Sequence, residues 1–104
     1  MTINRKVKEG TLKQGVDEQV YYKLTTTDWG STPTSVVVTL FERASGVWTE
    51  RTSTMLSGSA SVTGDVITSP KVAGLTEGLV YRLEFKFTVS GNIFEPYALI
   101  ECER

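Results

Sequence analysis

Apolar and polar residues alternate along much of this chain, most clearly within residues 79–89. From residue 81 onward every second residue there is apolar, and the residues between carry a charge or a hydroxyl group. The apolar row consists of Tyr81, Leu83, Phe85, Phe87 and Val89. A period of two places these side chains on one face of a β-strand, whereas a helix would spread them around its axis. We therefore predict a long, half-buried strand here.

Shorter segments with β-strand character precede and follow this stretch. We predict strands over residues 19–25, 35–42, 47–51 and 93–103. Turn-forming residues separate the segments, and Gly64-Asp65 forms a two-residue hairpin loop in which Gly64 takes the positive φ that such turns require. Apolar residues do not recur at helical spacing between capping residues, so we expect almost no helix.

Six or seven short strands in a chain of 104 residues predict one all-β domain, an immunoglobulin-like antiparallel β-sandwich of about seven strands. A small barrel of Greek-key type is the structural alternative. We assign the sandwich to residues 19–104. Residues 1–18 are expected to form either a first strand, over residues 3–8 or around Leu12, or a flexible arm.

Residues 75–81, with the sequence Leu-Thr-Glu-Gly-Leu-Val-Tyr, stand just where the long strand begins. Their spacing resembles the loop and tyrosine corner of fibronectin type III and related domains. The resemblance implies that the ring of Tyr81 enters the core and that its hydroxyl bonds backbone a few residues upstream, with loop carbonyls as the expected partners. Tyr22 stands where fibronectin type III domains place a tryptophan on the second strand, so the chain departs from ordinary members of that family.

The charge distribution narrows the classes of partner. The chain carries 11 basic and 12 acidic residues, scattered along its length, and has a net charge of −1. No basic face of the kind that neutralises phosphates is apparent, which argues against nucleic acid as a partner. The first residues are polar and contain no apolar run that could serve as a signal peptide or membrane span, so we expect synthesis in the cytoplasm and no membrane partner.

Candidate catalytic chemistry is sparse. The chain has no His, which removes the commonest general base and metal ligand. Cys102 is the single cysteine and lies in an apolar row, so we interpret it as a small buried hydrophobe that forms no disulfide. The closest carboxylate pairs, Asp17-Glu18 and Glu101-x-Glu103, lack the spacing of a calcium loop. We therefore expect no enzyme activity, no metal and no cofactor.

Aromatic residues admit two interpretations. Trp29 and Trp48 are expected to cover the open ends of the sandwich. Alternatively, the aromatic side chains belong to a contact surface on the outer face of the sheet that holds the long strand. If residues 36, 38 and 40 point inward, that face displays apolar residues among charged ones. The candidate contact residues are Val37, Phe41, Trp48, Tyr97 and Leu99, with Arg82, Glu84, Lys86 and Glu101 around them.

Across residues 20–102 the order of features resembles a group of small proteins encoded among bacteriophage and prophage structural genes. The matching features are Tyr22-x-Leu24, Thr27-Asp-Trp29, Val36-x-Val38, the Ser- and Gly-rich run over residues 53–66, Leu75-x-x-Gly78-x-x-Tyr81-x-Leu83, Gly91-Asn92 and Ile100-Glu-Cys102. The resemblance implies a virion-associated adaptor between tail and fibre or a head–tail accessory, with an immunoglobulin-like fold and no enzyme activity. It supplies no site residues.

The sequence leaves three possible functions for this chain. The leading one is a phage or prophage structural or adaptor protein that binds other virion proteins or copies of itself as a homo-oligomer. The second is a carbohydrate-binding module that uses Trp29, Trp48 and Tyr97 as stacking platforms. The third is an enzyme whose carboxylate pair comes from distant strands.

Overall fold

The computed structural model describes residues 6–104, with side chains from residue 11 onward. Strands dominate this part of the chain, and its single helix has four residues. In chain order the elements are β1 (Lys6–Gly15), β2 (Lys23–Thr25), β3 (Thr34–Ala44), β4 (Val47–Glu50), α1 (Thr52–Met55), β5 (Leu56–Ser57), β6 (Ser61–Thr63), β7 (Val66–Thr68), β8 (Lys71–Val72), β9 (Val80–Val89), β10 (Asn92–Phe94) and β11 (Tyr97–Glu103).

Six of these strands form one main sheet. Its order is β1-β11-β9-β3-β4, and β10 also pairs with β9. Strand β1 runs parallel to β11, whereas the other pairs are antiparallel. The remaining strands form two small sheets, β2-β7-β6 and β5-β8, and an isolated bridge between Val20 and Val72 extends this second layer. The sheets are open, so the barrel alternative does not describe the structure.

The core lies between the main sheet and the second layer. Strand β9 is central in the main sheet, and its burial alternates from residue to residue as the sequence pattern predicts. The buried apolar cluster joins residues of both layers: Val38, Leu40, Tyr81, Leu83, Phe85, Phe87, Val89, Ile100 and Cys102 from the main sheet, and Leu24, Ile67, Val72 and Leu75 from the opposite side. Two layers that share one apolar interior make the fold all-β and sandwich-like.

The predicted strands lie where the sequence placed them, but some of them are interrupted. The long strand is β9, and the hairpin loop Gly64-Asp65 joins β6 to β7 with Gly64 at φ 59°. The segment predicted over residues 19–25 is in fact a short strand, β2, plus the bridge at Val20. The stretch of chain that pairs with this segment contains Pro70. Proline has no N–H group to donate, so it interrupts the hydrogen bonds between the two stretches. The backbone N–H of Tyr22 instead donates to the Ser69 hydroxyl at 3.0 Å.

For residues 1–18, the structure has a strand over Lys6–Gly15. The expectation of a strand over residues 3–8 lies partly outside the described residues. Gln14 fixes the end of this strand, because its side chain is buried and every polar atom of it is bonded. Its Nε2 donates to the carbonyls of Glu18 and Val72, both at 2.9 Å, and its Oε1 accepts from the Tyr22 hydroxyl at 2.7 Å. Burial raises the pKa of Tyr22 to about 12.

The tyrosine corner is confirmed in the burial of its ring and in its bond to upstream backbone, but the expected carbonyl partner is wrong. Tyr81 is fully buried, and its hydroxyl accepts the backbone N–H of Thr76 at 2.8 Å. It donates to Oε2 of Glu42 at 2.7 Å and not to a loop carbonyl. Glu42 shares the inward-facing parity of residues 36, 38 and 40 on β3, so its carboxylate is buried and needs a donor. Arg51 provides a second contact, from Nε to Oε1 of Glu42 at 3.4 Å.

The loop that carries Trp29 closes one end of the core. The indole packs edge-on against the ring of Phe87, with ring centroids 6.1 Å apart. Asp65 holds the loop from the opposite hairpin, because its Oδ1 accepts the backbone N–H of Thr32 at 3.3 Å. Trp29 therefore covers an end of the sandwich, as one of the two interpretations of the aromatic residues expected.

Replacing Gly30 in this loop with alanine is expected to lower the free energy of unfolding by about 2 kcal/mol or more. The residue has φ +140°, and a Cβ there would lie 2.4 Å from Cγ1 of the buried, β-branched Val89. Urea unfolding measures the loss. Gly46→Ala is the control: φ is +77° but nothing lies within 4 Å of its Cβ, so the expected loss is only about 1 kcal/mol. Equal losses in the two variants would contradict the steric argument.

Candidate functional site

One face of the main sheet points away from the second layer, and we call it the outer face. It is formed by the residues that alternate with the buried ones along each strand. Its members are Thr11 and Lys13 on β1, Tyr97, Leu99 and Glu101 on β11, Val80, Arg82, Glu84 and Lys86 on β9, Val37, Thr39, Phe41 and Arg43 on β3, and Trp48 and Glu50 on β4. Strands β3, β9 and β11 are neighbours in this sheet, with β9 between the other two.

Strand register arranges these residues in rows across the sheet. In the middle row, Arg82 pairs with Phe41 on one side and with Leu99 on the other. The row extends to Glu50 beyond Phe41 and to Thr11 beyond Leu99. Directly opposite residues in a sheet have neighbouring side chains. Two apolar side chains therefore flank the central arginine.

A second row crosses the sheet at Val80. Val80 pairs with Arg43 on β3 and with Glu101 on β11. Beyond them lie Trp48, which pairs with Arg43, and Lys13, which pairs with Glu101. This row therefore has an arginine and a tryptophan at one side and a glutamate and a lysine at the other.

Arg82 is the most constrained charged residue of the outer face. Its guanidinium carbon lies 4.1 Å from the centroid of the Tyr97 ring, in cation–π geometry. Its Nη2 is 3.0 Å from Oε2 of Glu84. The side chain of Arg82 is only 26% exposed and that of Glu84 only 16% exposed. The pair therefore forms a fixed centre of the face with no net charge.

Charges at the margins of the face are looser. Nζ of Lys13 lies 3.8 Å from Glu101 and 3.7 Å from Glu103, and all three side chains are about half exposed. Arg43 lies over Trp48, with its guanidinium carbon 5.9 Å from the ring centroid. Exposed pairs of this kind contribute little stability, so these side chains are free to exchange one partner for another.

The five candidate contact residues lie on the outer face and outside the buried core. Val37 is 52% exposed and Trp48 40% exposed, whereas Phe41, Tyr97 and Leu99 are half-buried. Trp48 therefore does not cover an end of the sandwich, as one interpretation had it. The reason is its register: it pairs with Arg43, which faces outward.

The remaining chemical candidates serve local structure. Cys102 is buried as predicted, and burial raises the pKa of its thiol, which disfavours the reactive thiolate. Glu18 accepts the backbone N–H of Gly15 at 2.6 Å, while Glu101 and Glu103 contact Lys13. Among the residues that the structure describes, no group of three or more His, Cys, Asp or Glu side chains is placed to hold a metal ion.

Comparisons with protein-family models, curated proteins and solved structures find no match to this chain. Within the described residues, no helix has the length and apolar character needed to cross a membrane.

Proposed function

We propose that this chain is a non-enzymatic structural or adaptor protein of a phage or prophage virion, and that it acts through protein–protein contacts made by its outer face. The observation that carries the proposal is the combination of exposed Val37 and Trp48 with a fixed, charge-neutral centre at Arg82 and Glu84. Apolar and aromatic side chains within a polar surround are typical of protein interfaces.

The strand order supports an immunoglobulin-like fold. In such sandwiches the third, sixth and seventh strands form one sheet, and the second, fourth and fifth belong to the other. Here β3, β9 and β11 are adjacent in the main sheet, while β2, β7 and β6 form the opposite layer. Strand β4 extends the main sheet as the extra strands of variable-type domains do.

The phage assignment rests on the resemblance across residues 20–102. Within it, Trp29 and Tyr81 both occupy positions that stabilise the fold: Trp29 packs on Phe87, and the Tyr81 hydroxyl joins β9 to Glu42 of β3. The residues that match the phage group therefore act in the fold, and the outer face determines which partner is bound.

A protein partner suits the outer face better than a polysaccharide or a nucleic acid. Of the three aromatic residues considered as sugar platforms, Trp29 is packed against Phe87 and one face of Tyr97 is covered by Arg82. Sugar stacking requires an open ring face, and Arg43 likewise lies over the exposed ring of Trp48. The basic residues of the face are balanced by acidic ones, which does not favour a polyanion.

A photoreactive amino acid at position 37 tests this function in host cells that produce virions. We expect covalent adducts with a virion protein, or with another copy of this chain, detected by denaturing electrophoresis and mass spectrometry. The matched control is position 62, since Val62 is also an exposed valine on a strand but lies in the second layer, on β6. Adducts of equal yield at both positions, or none at position 37, would overturn the proposal.

A further inference from the structure

Side chains that can attract one another occupy mirrored positions about β9 on the outer face. Phe41 and Leu99 stand on the two sides of Arg82, and Arg43 and Glu101 stand on the two sides of Val80. One position further out in the second row, Trp48 on β4 mirrors Lys13 on β1. Each pair joins side chains that attract one another: apolar with apolar, cation with anion, and aromatic ring with cation.

We propose that the outer face binds the outer face of a second copy of this chain, about a two-fold axis that lies parallel to β9. The inference rests on the proposed function and names its partner. Such an axis brings β3 of one copy onto β11 of the other. Phe41 then meets Leu99 of the second copy, Arg43 meets Glu101, and Trp48 meets Lys13. Because the interface is isologous, each contact occurs twice.

The charge count of the face fits self-association. Among the side chains that the structure describes, four basic and four acidic ones lie on the face or at its margin: Lys13, Arg43, Arg82 and Lys86, and Glu50, Glu84, Glu101 and Glu103. Two such faces therefore meet without net repulsion. Arg82 and Glu84 lie closest to the axis, where like side chains approach each other, and their mutual contact at 3.0 Å neutralises them in each copy. Lys86 is exposed at the end of the face, where a flexible side chain can turn to solvent.

Another orientation of the axis loses this complementarity. A two-fold axis along the middle row, perpendicular to the strands, would place Arg43 opposite Thr39 and Glu101 opposite Tyr97. The apolar residues Phe41 and Leu99 would then each meet their own copy, and the oppositely charged residues would remain apart. The pattern of the face therefore selects the axis parallel to β9.

The size of the face limits the interface to one that is small among protein dimers. The fifteen residues of the outer face each cover about 4.8 Å across the strands and about 6.8 Å along them, which gives roughly 500 Å² per copy. Two copies would bury roughly 1,000 Å², which is the size of a weak or transient protein interface. We expect a dimer with a dissociation constant in the micromolar range, which is a strength at which exposed charge pairs alter the equilibrium measurably.

Sedimentation velocity of charge-swapped chains tests the geometry. The variants Arg43→Glu and Glu101→Arg each replace two attractive contacts with two repulsive ones, so each alone should weaken the dimer about tenfold or more. An equimolar mixture should restore dimerisation. In a mixed dimer the carboxylate introduced at position 43 of one chain faces the guanidinium introduced at position 101 of the other, and the native Glu101 of the first faces the native Arg43 of the second. Lys23→Glu, on an exposed position of β2, makes the same change of net charge as Arg43→Glu and should leave the dimer unaffected.

Each outcome decides the inference. A wild-type dimer that both variants weaken and the mixture restores supports the two-fold arrangement, and the same pattern should diminish at high salt. If the mixture of the two variants does not restore dimerisation, the two-fold arrangement is wrong, because residue 43 of one copy then does not face residue 101 of the other. A wild-type chain that stays monomeric overturns it as well. In that case, adducts between position 37 and another virion protein would show that the proposed function survives without self-association.

Discussion

Replacing Phe87 with alanine should lower the free energy of unfolding by about 4 kcal/mol, which is toward the upper end of what a single core truncation costs. The ring is fully buried and lies near the C-terminal end of β9. It contacts Trp29 at 6.1 Å and Phe94 at 6.0 Å between ring centroids, so its removal leaves a cavity beneath the loop and β10 at the same time. A domain stabilised by about 5–15 kcal/mol loses much of its margin.

Urea unfolding followed by tryptophan fluorescence measures this loss, because Trp29 reports on the same end of the core. Phe87→Leu is the matched control: it keeps most of the buried volume and should lower the free energy of unfolding by only about 1 kcal/mol. A loss of about 1 kcal/mol in the alanine variant too would contradict the packing described here, since it would mean that the ring is not enclosed.

The sequence predicted the fold best where one physical effect dominates. Along β9 the alternation of buried and exposed side chains follows directly from hydrophobic burial on one face, and every apolar residue of the predicted row is buried. The same parity argument placed Val37 and Phe41 outside the core, because β3 continues the pattern without interruption from residue 36 to residue 42.

Prediction was weaker where hydrogen bonds to distant residues decide the structure. Gln14 and Glu42 are polar, so hydrophobic patterning marks neither as buried, yet both face inward and are bonded by tyrosine hydroxyls. For Glu42 a signal was present: it has the parity of Val38 and Leu40, and a buried carboxylate requires a donor from across the sheet. The pairing of β1 with β11 is parallel and joins the two ends of the chain, which no local pattern encodes.

The same limit applies to the candidate site. Parity predicted which face each residue occupies, but only the register shows that Phe41, Arg82 and Leu99 share one row and that Trp48 lies beside Arg43. Strand register depends on turn geometry and on packing of the opposite face. The complementary placement of Arg43 and Glu101 about Val80 could therefore be derived only from the structure.

Removing the hydroxyl of Tyr81 should lower the free energy of unfolding by about 3 kcal/mol, although Tyr81→Phe leaves the shape of the core unchanged. The variant leaves the buried Oε2 of Glu42 without its donor and the backbone N–H of Thr76 without its acceptor. Tyr22→Phe is the matched control, because the hydroxyl of Tyr22 donates to the neutral side chain of Gln14. We expect a loss of only about 1 kcal/mol there, as for an ordinary neutral hydrogen bond.

The dependence of the free energy of unfolding on pH shows whether Tyr81→Phe acts through the lost hydroxyl or through a general loss of packing. Burial, and then the bond to Glu42, raise the pKa of Tyr81 above its ordinary value of 10.0. Above about pH 10 the unfolded chain releases this proton while the folded chain keeps it, so the free energy of unfolding falls as the pH rises toward the folded-state pKa. Tyr81→Phe should remove that part of the alkaline loss and retain the parts due to Tyr22 and Cys102, whose pKa values burial also raises. An alkaline loss in the variant as steep as in the wild type would mean that Tyr81 is not held in its protonated form by burial and Glu42, and the account of the corner would have to be abandoned.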